Sequence, residues 1–134
     1  MGYAIPAAIA CRLALKGNSR DVIAICGDGG FYMSMHEIST AIQENAPILI
    51  CIFNDQALGT IKHQQRNFYG GRLISVNLKN PSFADIAESF GCHGISVERP
   101  EHLSSALSDG LKYLRMGETT ILDINIDGEE ALPP

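Results

Sequence analysis

Two short apolar runs, each followed by a polar segment, dominate the hydrophobic pattern of the chain. The first run covers residues 22–26 and the second covers residues 48–53. Both are rich in β-branched side chains and contain no charged residue. Runs of this kind predict strands that are buried on both faces of a parallel sheet. Residues 34–45 between them have apolar positions at helical spacing, so they predict the crossover helix of a βαβ unit.

The rest of the chain continues this alternation of helices and strands. A helix over residues 4–16 has apolar side chains almost all round, so we expect it to be buried on several sides. Ser34 and Glu37 have the spacing of a capping box at the start of the crossover helix. The other predicted elements are helices over 58–66, 80–90 and 99–115, a long loop over 67–80, strands over 94–97 and 119–126, and an exposed tail over 128–134.

The alternation predicts an α/β fold, in which helices cover both faces of a parallel sheet. The length allows one domain, residues 1–134, with its own core. A hydrophobic share of 46% and a charged share of 19% argue against disorder. The formal net charge of −5, without a run of Lys or Arg, argues against nucleic acid as a partner. No apolar run is long enough to predict a membrane span.

The four cysteines bear on the cellular compartment. None of them forms a CxxC pair, which argues against a metal or redox centre. We expect buried, reduced thiols, and therefore a reducing compartment, the cytoplasm. The four positions are Cys11, Cys26, Cys51 and Cys92.

The candidate chemistry lies in the polar segments that follow the two apolar runs. Both segments come just past the carboxyl ends of neighbouring strands, which is the edge where open α/β sheets bind ligands. Gly27, Gly29 and Gly30 leave backbone N–H groups accessible to anionic oxygens. Asp28 lies among these glycines, and with Asp55 it offers the hard oxygen ligands that Mg²⁺ prefers beside phosphate oxygens. The residues therefore predict a Mg²⁺–diphosphate site.

Simpler interpretations compete with this one. Asn54 and Asp55 alone are typical of a plain polar turn after a strand. A dinucleotide-binding loop is disfavoured, because residues 27–30 lack the third glycine of the Gly-x-Gly-x-x-Gly pattern. His36, Lys62 and His63 are more typical of solvated helix residues than of ligands, although the last two would also suit an anionic substrate.

The spacing of the two polar segments resembles a motif of the thiamine-diphosphate-dependent 2-oxoacid enzymes. That motif is Gly-Asp-Gly, a spacer, and then Asn-Asn; here Gly27-Asp28-Gly29 is followed after 24 residues by Asn54-Asp55. The resemblance covers nearly the whole chain, and part of it is most similar to the acetolactate synthase branch. The further similar segments are residues 1–9 and 37–41 and, for that branch, residues 68–72 and 80–83.

The resemblance implies a thiamine-diphosphate-binding fold in which Mg²⁺ anchors the diphosphate. By the motif, side-chain oxygens of Asp28 and Asp55 and the backbone carbonyl of Ala57 would bind the Mg²⁺. The family commonly has Asn at the place of Asp55, so the extra charge here should tighten Mg²⁺ binding and repel the diphosphate slightly more. Met1 would support the bent shape of the cofactor. The cofactor-binding residues implied in this way are Met1, Gly27, Asp28, Gly29, Gly30, Asn54, Asp55, Ala57 and Leu58.

The resemblance also implies a 2-oxoacid substrate for a decarboxylase or carboligase, but it leaves the particular acid open. Acetolactate synthases carry Trp at the place of Gln64 and usually Met at the place of Thr60, and this chain departs at both. The activating glutamate of the family lies on another domain, and Glu37 and Glu44 do not match its motif. We therefore assign no catalytic residue to this chain, and expect a pyrimidine-binding domain or subunit as partner within a homo-oligomer.

The family's cofactor domain has further segments upstream of the position of Met1. We therefore expect this chain to be an N-terminally incomplete domain, part of a larger lyase or transferase, and inactive without the domain that carries the activating glutamate. The alternative is a non-catalytic remnant or interaction module. In that alternative, a missing upstream strand would expose an apolar edge or face of the sheet, which would favour self-association.

Overall fold

The computed structural model of the chain describes residues 1–129, so residues 130–134 of the predicted tail lie outside the described part. Helices and strands alternate along the chain, as the hydrophobic pattern predicts. The helices are α1 (Ala4–Ala14), α2 (Asp28–Tyr32), α3 (Ile38–Gln43), α4 (Gly59–Phe68), α5 (Phe83–Ser89) and α6 (Leu103–Arg115). The strands are β1 (Ile23–Gly27), β2 (Leu49–Asn54), β3 (His93–Val97) and β4 (Thr120–Asn125). Short 3₁₀ turns over Met35–Glu37 and Pro100–His102 precede α3 and α6.

The four strands form one parallel sheet in the order β1-β2-β4-β3. This arrangement confirms the predicted α/β class. In the register of β1 and β2, Gly27 lies opposite Phe53. The two strands therefore end at the same edge of the sheet, and the polar residues that follow them, Asp28 and Asp55, emerge side by side.

Helices pack against both faces of the sheet. On one face, α1, α2, α3 and α5 bury a cluster whose centre contains Phe31 and Phe83, with ring centroids 5.0 Å apart in an edge-to-face pair. On the other face, α6 packs its apolar side against β2, β3 and β4. Residues 49–52 of β2 are buried on both faces of the sheet, which explains why this stretch of sequence is an unbroken apolar run.

Part of the second face stays uncovered within residues 1–129. Ile23, Ile25 and Phe53 point to the side that α6 covers elsewhere, and they are 45%, 62% and 44% exposed. Strand β1 is also an edge strand of the described sheet. An apolar edge and face are thus exposed here, as the sequence predicts.

The prediction that α1 is buried on several sides is wrong. Only the side that faces the sheet is buried, through Ile5, Ala8 and Ile9, while Leu13 is 41% exposed. The prediction that Cys11 is a buried thiol is wrong for the same reason, because this residue lies on the outer side of the helix. Within residues 1–129, no helix combines the length and the apolar character that crossing a bilayer requires.

The crossover helix begins later than predicted, and the predicted capping box does not form. Ser34 makes no side-chain cap, its Oγ is buried without a hydrogen-bond partner in the described part of the chain, and a 3₁₀ turn follows it. The backbone carbonyl of Ser34 accepts from the Glu37 N–H instead, at 3.0 Å. The backbone thus satisfies this turn without the hydroxyl.

We predict that Gly94→Ala destabilises the protein by about 3 kcal/mol, measured as the free energy of unfolding in urea. A Cβ at this position of β3 would lie 2.6 Å from the Cα and the carbonyl carbon of Ala84 in α5. Backbone atoms cannot rotate away, so the helix would have to move off the sheet. Ser96→Ala is the matched control, because Ser96 is exposed on the same strand and should change stability by less than about 0.5 kcal/mol. A loss below about 1 kcal/mol for Gly94→Ala would contradict this close packing.

Candidate functional site

The first polar segment of the site is a single helical turn. Gly27 is extended, with φ −78° and ψ 163°, and Asp28 begins α2 directly after it. Gly29 and Gly30 continue the helix without left-handed backbone angles, so they do not form the concave set of N–H groups that a nest requires. The short run of glycines concealed this turn, because glycine is a poor helix former.

Gly29 matters through the space that it leaves. A Cβ at this position would lie 2.5 Å from Cδ2 of Leu58 and 3.3 Å from Cε of Met1. The missing side chain therefore lets Leu58 and Met1 approach the backbone of α2. Both of these residues belong to the set that the sequence predicts for the cofactor.

The Asp28 carboxylate is buried, with 1% of the residue exposed. Its Oδ1 accepts from the Gly29 N–H at 2.7 Å and its Oδ2 accepts from Nδ2 of Asn80 at 2.6 Å. Burial raises the pKa of Asp28, and the charge of Asp55 raises it further, whereas the Asn80 and Gly29 hydrogen bonds lower this pKa. No cationic side chain contributes to this balance, so the carboxylate is well placed to attract a metal cation.

Asp55 faces Asp28 from a tight turn after β2. Its Oδ1 accepts from the Ala57 N–H at 3.1 Å, and Gln56 between them takes a left-handed φ of 53°. The carboxylate packs over Gly59, where a Cβ would lie 2.5 Å from Oδ2 of Asp55. The turn thus fixes the direction of the Asp55 carboxylate, and a side chain at Gly59 would displace it.

Asn54 lies at the same sheet edge, but its side chain points into the protein. Its Nδ2 donates to Oδ1 of Asp123 at 2.9 Å, and its Oδ1 accepts from Nδ2 of Asn80 at 2.8 Å. Both polar ends of the amide are used inside the fold. Asn80 and Asp123 were not among the residues that the sequence indicated. Asp123 gave one usable signal, because it is a lone charge in an apolar strand and such a charge requires partners.

A cavity of about 870 Å³ opens at this edge of the sheet, which is within the range of pockets for drug-sized ligands. Eight of the nine predicted cofactor-binding residues line it, and Asn54 is the exception. Within residues 1–129 no three His, Cys, Asp or Glu side chains group as metal ligands. A cation at Asp28 and Asp55 would therefore need further oxygens, from backbone carbonyls or from the ligand. The eight lining residues are Met1, Gly27, Asp28, Gly29, Gly30, Asp55, Ala57 and Leu58.

Helix α4 forms one side of the cavity mouth through Thr60 and His63. The prediction that Lys62 is solvated is wrong, because it is 8% exposed and its Nζ donates to Glu129 at 2.7 Å. Arg66 pairs with the same carboxylate, so the two cations hold the start of the predicted tail. His36 is exposed, as expected, and its Nε2 lies 3.5 Å from Oε1 of Glu37, away from the cavity.

Comparison with known proteins gives one family over most of the chain. The family described as "Thiamine pyrophosphate enzyme, C-terminal TPP binding domain" matches residues 1–124. The chain is 38% identical to the acetolactate synthase large subunit of Buchnera aphidicola subsp. Schlechtendalia chinensis, and 34% identical to the acetolactate synthase isozyme 3 large subunit of Escherichia coli (strain K12). In both cases the match covers 100% of this chain and 23% of the relative.

Other relatives carry different activities in their names. The chain is 35% identical to the sulfoacetaldehyde acetyltransferase of Alcaligenes xylosoxydans xylosoxydans, over 92% of this chain and 20% of that protein. The fold matches the crystal structure of benzoylformate decarboxylase from Polynucleobacter necessarius with a TM-score of 0.86 at 23% identity. This match covers 98% of the chain and 25% of that structure. The chain therefore spans about a quarter of the length of the proteins it resembles.

Proposed function

The chain belongs to the thiamine pyrophosphate enzymes, as their C-terminal TPP-binding domain, and from this premise we propose that its cavity anchors thiamine diphosphate through Mg²⁺. The observation that carries the proposal is the pairing of the buried Asp28 carboxylate with Asp55 at the mouth of this cavity. Two facing carboxylates repel each other and the anionic diphosphate, and a divalent cation between them removes both costs.

The residues present fit the group. Carboxylate oxygens of Asp28 and Asp55 and the carbonyl of Ala57 would hold the Mg²⁺, which prefers hard oxygen ligands and retains phosphate oxygens in its shell. Met1 and Leu58 pack over Gly29 and would contact the ring faces of the cofactor. Asn54 supports the site from inside the fold, since its side chain is used by Asp123 and Asn80.

Bound thiamine diphosphate supplies an electron sink for the loss of CO₂ from a 2-oxoacid. Within the proposal, this chain binds and orients the cofactor, while a pyrimidine-binding domain or subunit supplies the activating glutamate. Neither Glu37 nor Glu44 lines the cavity. Thr60 and His63 stand at the cavity mouth and would contact the substrate. The reaction is a 2-oxoacid decarboxylation or carboligation, of the kind that acetolactate synthases carry out.

We place the intact protein in a homo-oligomer in the cytoplasm. The exposed Ile23, Ile25 and Phe53 favour burial against another domain or subunit. All four cysteines are free thiols, which accords with a reducing compartment.

The test is a thermal melt of the intact protein that carries this sequence. We predict that thiamine diphosphate with Mg²⁺ raises the melting temperature, by an amount equivalent to about 2.7 kcal/mol at 100 times the Kd. Thiamine with Mg²⁺, and thiamine diphosphate with EDTA, are the matched controls and should give little or no rise. An equal rise in either control would contradict anchoring of the diphosphate through the cation.

A non-catalytic interaction module is the competing function. The observation that favours it is the apolar strip formed by Ile23, Ile25 and Phe53. It would be supported if the intact protein gained no stability from thiamine diphosphate and Mg²⁺ but associated with itself in sedimentation. Release of CO₂ from a panel of 2-oxoacids, including pyruvate and benzoylformate, would exclude it.

A further inference from the structure

Asn80 precedes helix α5, yet its side chain reaches the ends of two strands. Its Nδ2 donates to Oδ2 of Asp28 at 2.6 Å and to Oδ1 of Asn54 at 2.8 Å. Asp28 directly follows β1 and lies 52 residues before Asn80. Asn54 is the last residue of β2 and lies 26 residues before Asn80. One amide group thus connects the Asp28 loop to the end of β2, which leads into Asp55.

The chemistry of the neighbours fixes the orientation of the Asn80 amide. Oδ2 of Asp28 and Oδ1 of Asn54 are both acceptors, because Asn54 directs its own nitrogen toward Asp123. Only the NH₂ end of Asn80 suits this position, since the reversed amide would place an oxygen against a carboxylate. Oδ1 of Asn80 is buried and has no hydrogen-bond partner within residues 1–129. Nδ2 of Asn80 therefore donates both hydrogen bonds of this side chain, one to each strand end.

The hydrogen bond from Asn80 orients the Asp28 carboxylate without exhausting it. Each carboxylate oxygen has room for about two partners. The Gly29 N–H takes one place on Oδ1 and Asn80 takes one on Oδ2. The Ala57 N–H also contributes a hydrogen bond to this carboxylate, and a position remains for a cation. Hydrogen bonds of this kind, one step behind the ligands, commonly fix the direction of metal-binding side chains.

The support behind Asn80 comes from the centre of the sheet. Asn54 is held by Oδ1 of Asp123 at 2.9 Å, and Oδ2 of the same carboxylate accepts from the backbone N–H of Phe83 at 3.0 Å. Phe83 is the first residue of α5, three positions after Asn80. The start of α5 and the end of β2 are thus tied to one buried carboxylate, and Asn80 bridges from this assembly to Asp28.

We propose that Asn80 is a positioning residue for the cation site, which holds the Asp28 carboxylate in the direction needed to share Mg²⁺ with Asp55. The inference rests on the proposed function and adds to it a residue that the two polar segments at Gly27-Asp28-Gly29 and Asn54-Asp55 do not include. A neutral donor suits this role. A lysine or arginine here would orient the carboxylate too, but its charge would cancel the attraction for the cation.

The test separates the Mg²⁺ requirement from the stability of the fold. In the intact protein, calorimetry would measure the Mg²⁺ concentration for half-maximal binding of thiamine diphosphate, and a melt would measure stability without ligand. We expect Asn80→Ala to raise that Mg²⁺ concentration about 10- to 100-fold. Asn80→Ser keeps one donor and should recover part of the loss. Asn77→Ala is the matched control, since Asn77 is an exposed amide in the same loop, and should behave as wild type.

The outcomes are distinguishable. A wild-type protein that does not bind thiamine diphosphate with Mg²⁺ would overturn the proposed function, and the role of Asn80 with it. Normal wild-type binding with an unchanged Mg²⁺ requirement in Asn80→Ala would overturn the role of Asn80 alone, even if the variant melts at a lower temperature. If Asn80→Ala does not fold, Asn80→Leu decides, because it keeps the size of the side chain and removes the donor; a Mg²⁺ requirement equal to wild type in Asn80→Leu would overturn the inference.

Discussion

Asp28→Ala is expected to abolish the Mg²⁺-dependent binding of thiamine diphosphate, with a loss of affinity of at least about 100-fold. The estimate follows because changes one step behind a metal ligand already cost 10- to 100-fold, and Asp28 would be a ligand itself. In the melt, the rise caused by cofactor and Mg²⁺ should disappear. The measurement is a calorimetric titration of the intact protein with thiamine diphosphate at saturating Mg²⁺. Asp109→Ala on α6 is the control, because it removes an exposed carboxylate far along the fold from the site.

The stability of the cofactor-free protein should change much less than the affinity for the cofactor. Folding raises the pKa of Asp28 above its ordinary value of 3.8, mainly through burial. Between that value and the raised value, the folded state binds more protons than the unfolded state, so the free energy of unfolding falls as pH rises through this window. Above the window the full cost remains. Asp28→Asn removes this cost and keeps an oxygen for Asn80, but it leaves the Gly29 N–H without its acceptor. We therefore expect Asp28→Asn without cofactor to stay within about 1 kcal/mol of wild type at pH 7.

The binding and stability measurements together distinguish a metal ligand from a residue that only supports the fold. If Asp28 only held α2 in place, its replacement would lower stability and binding together. If it holds the cation, binding is lost while the stability of the unliganded fold changes little. A cofactor-induced rise that survives in Asp28→Ala would refute the assignment of Asp28 to the metal site.

The positions of Asp28 and Asp55 could be predicted because they depend on strand ends. Two apolar runs of similar character imply parallel neighbours, and the carboxyl ends of parallel neighbours lie at one edge. Nothing more than the order of elements is needed to bring the two carboxylates together. The roles of Asn80 and Asp123 depend instead on single side-chain contacts across 26 to 69 residues. No local spacing encodes such contacts.

The wrong predictions about the fold share one cause. Each depends on contacts with distant parts of the chain, which the local sequence does not reveal. The apolar sequence of α1 indicates burial, but only one side of this helix meets the sheet, so Leu13 and Cys11 are left exposed. A lysine on a helix is usually solvated, but the amino group of Lys62 donates to a carboxylate 67 residues later in the chain. The glycines after Asp28 indicate a loop, but they form a helical turn. Leu58 packs so close to this turn that there is no room for a side chain at Gly29.

Asp123→Ala is expected to lower the free energy of unfolding by about 2–6 kcal/mol. Its two oxygens accept from the Asn54 amide and from the Phe83 backbone N–H, and Asp123 is 6% exposed. Removal leaves two buried donors without acceptors, at about 1–3 kcal/mol each. The measurement is urea unfolding of the cofactor-free protein, with Asp109→Ala as the exposed control, expected to change stability by less than about 0.5 kcal/mol.

Asp123 supports both the start of α5 and the Asn54 amide, and replacements that keep different numbers of acceptor oxygens can separate these two functions. Asp123→Asn keeps one oxygen, so it should satisfy one donor and lose about half as much stability as alanine. Which donor it satisfies decides the effect on the site. If the remaining oxygen faces Phe83, the Asn54 amide loses its anchor, and the Asn80 bridge to Asp28 loosens with it. Cofactor binding would then weaken in Asp123→Asn while α5 stays docked. Equal stability of Asp123→Ala and wild type would show that the buried carboxylate supports neither the helix nor the site.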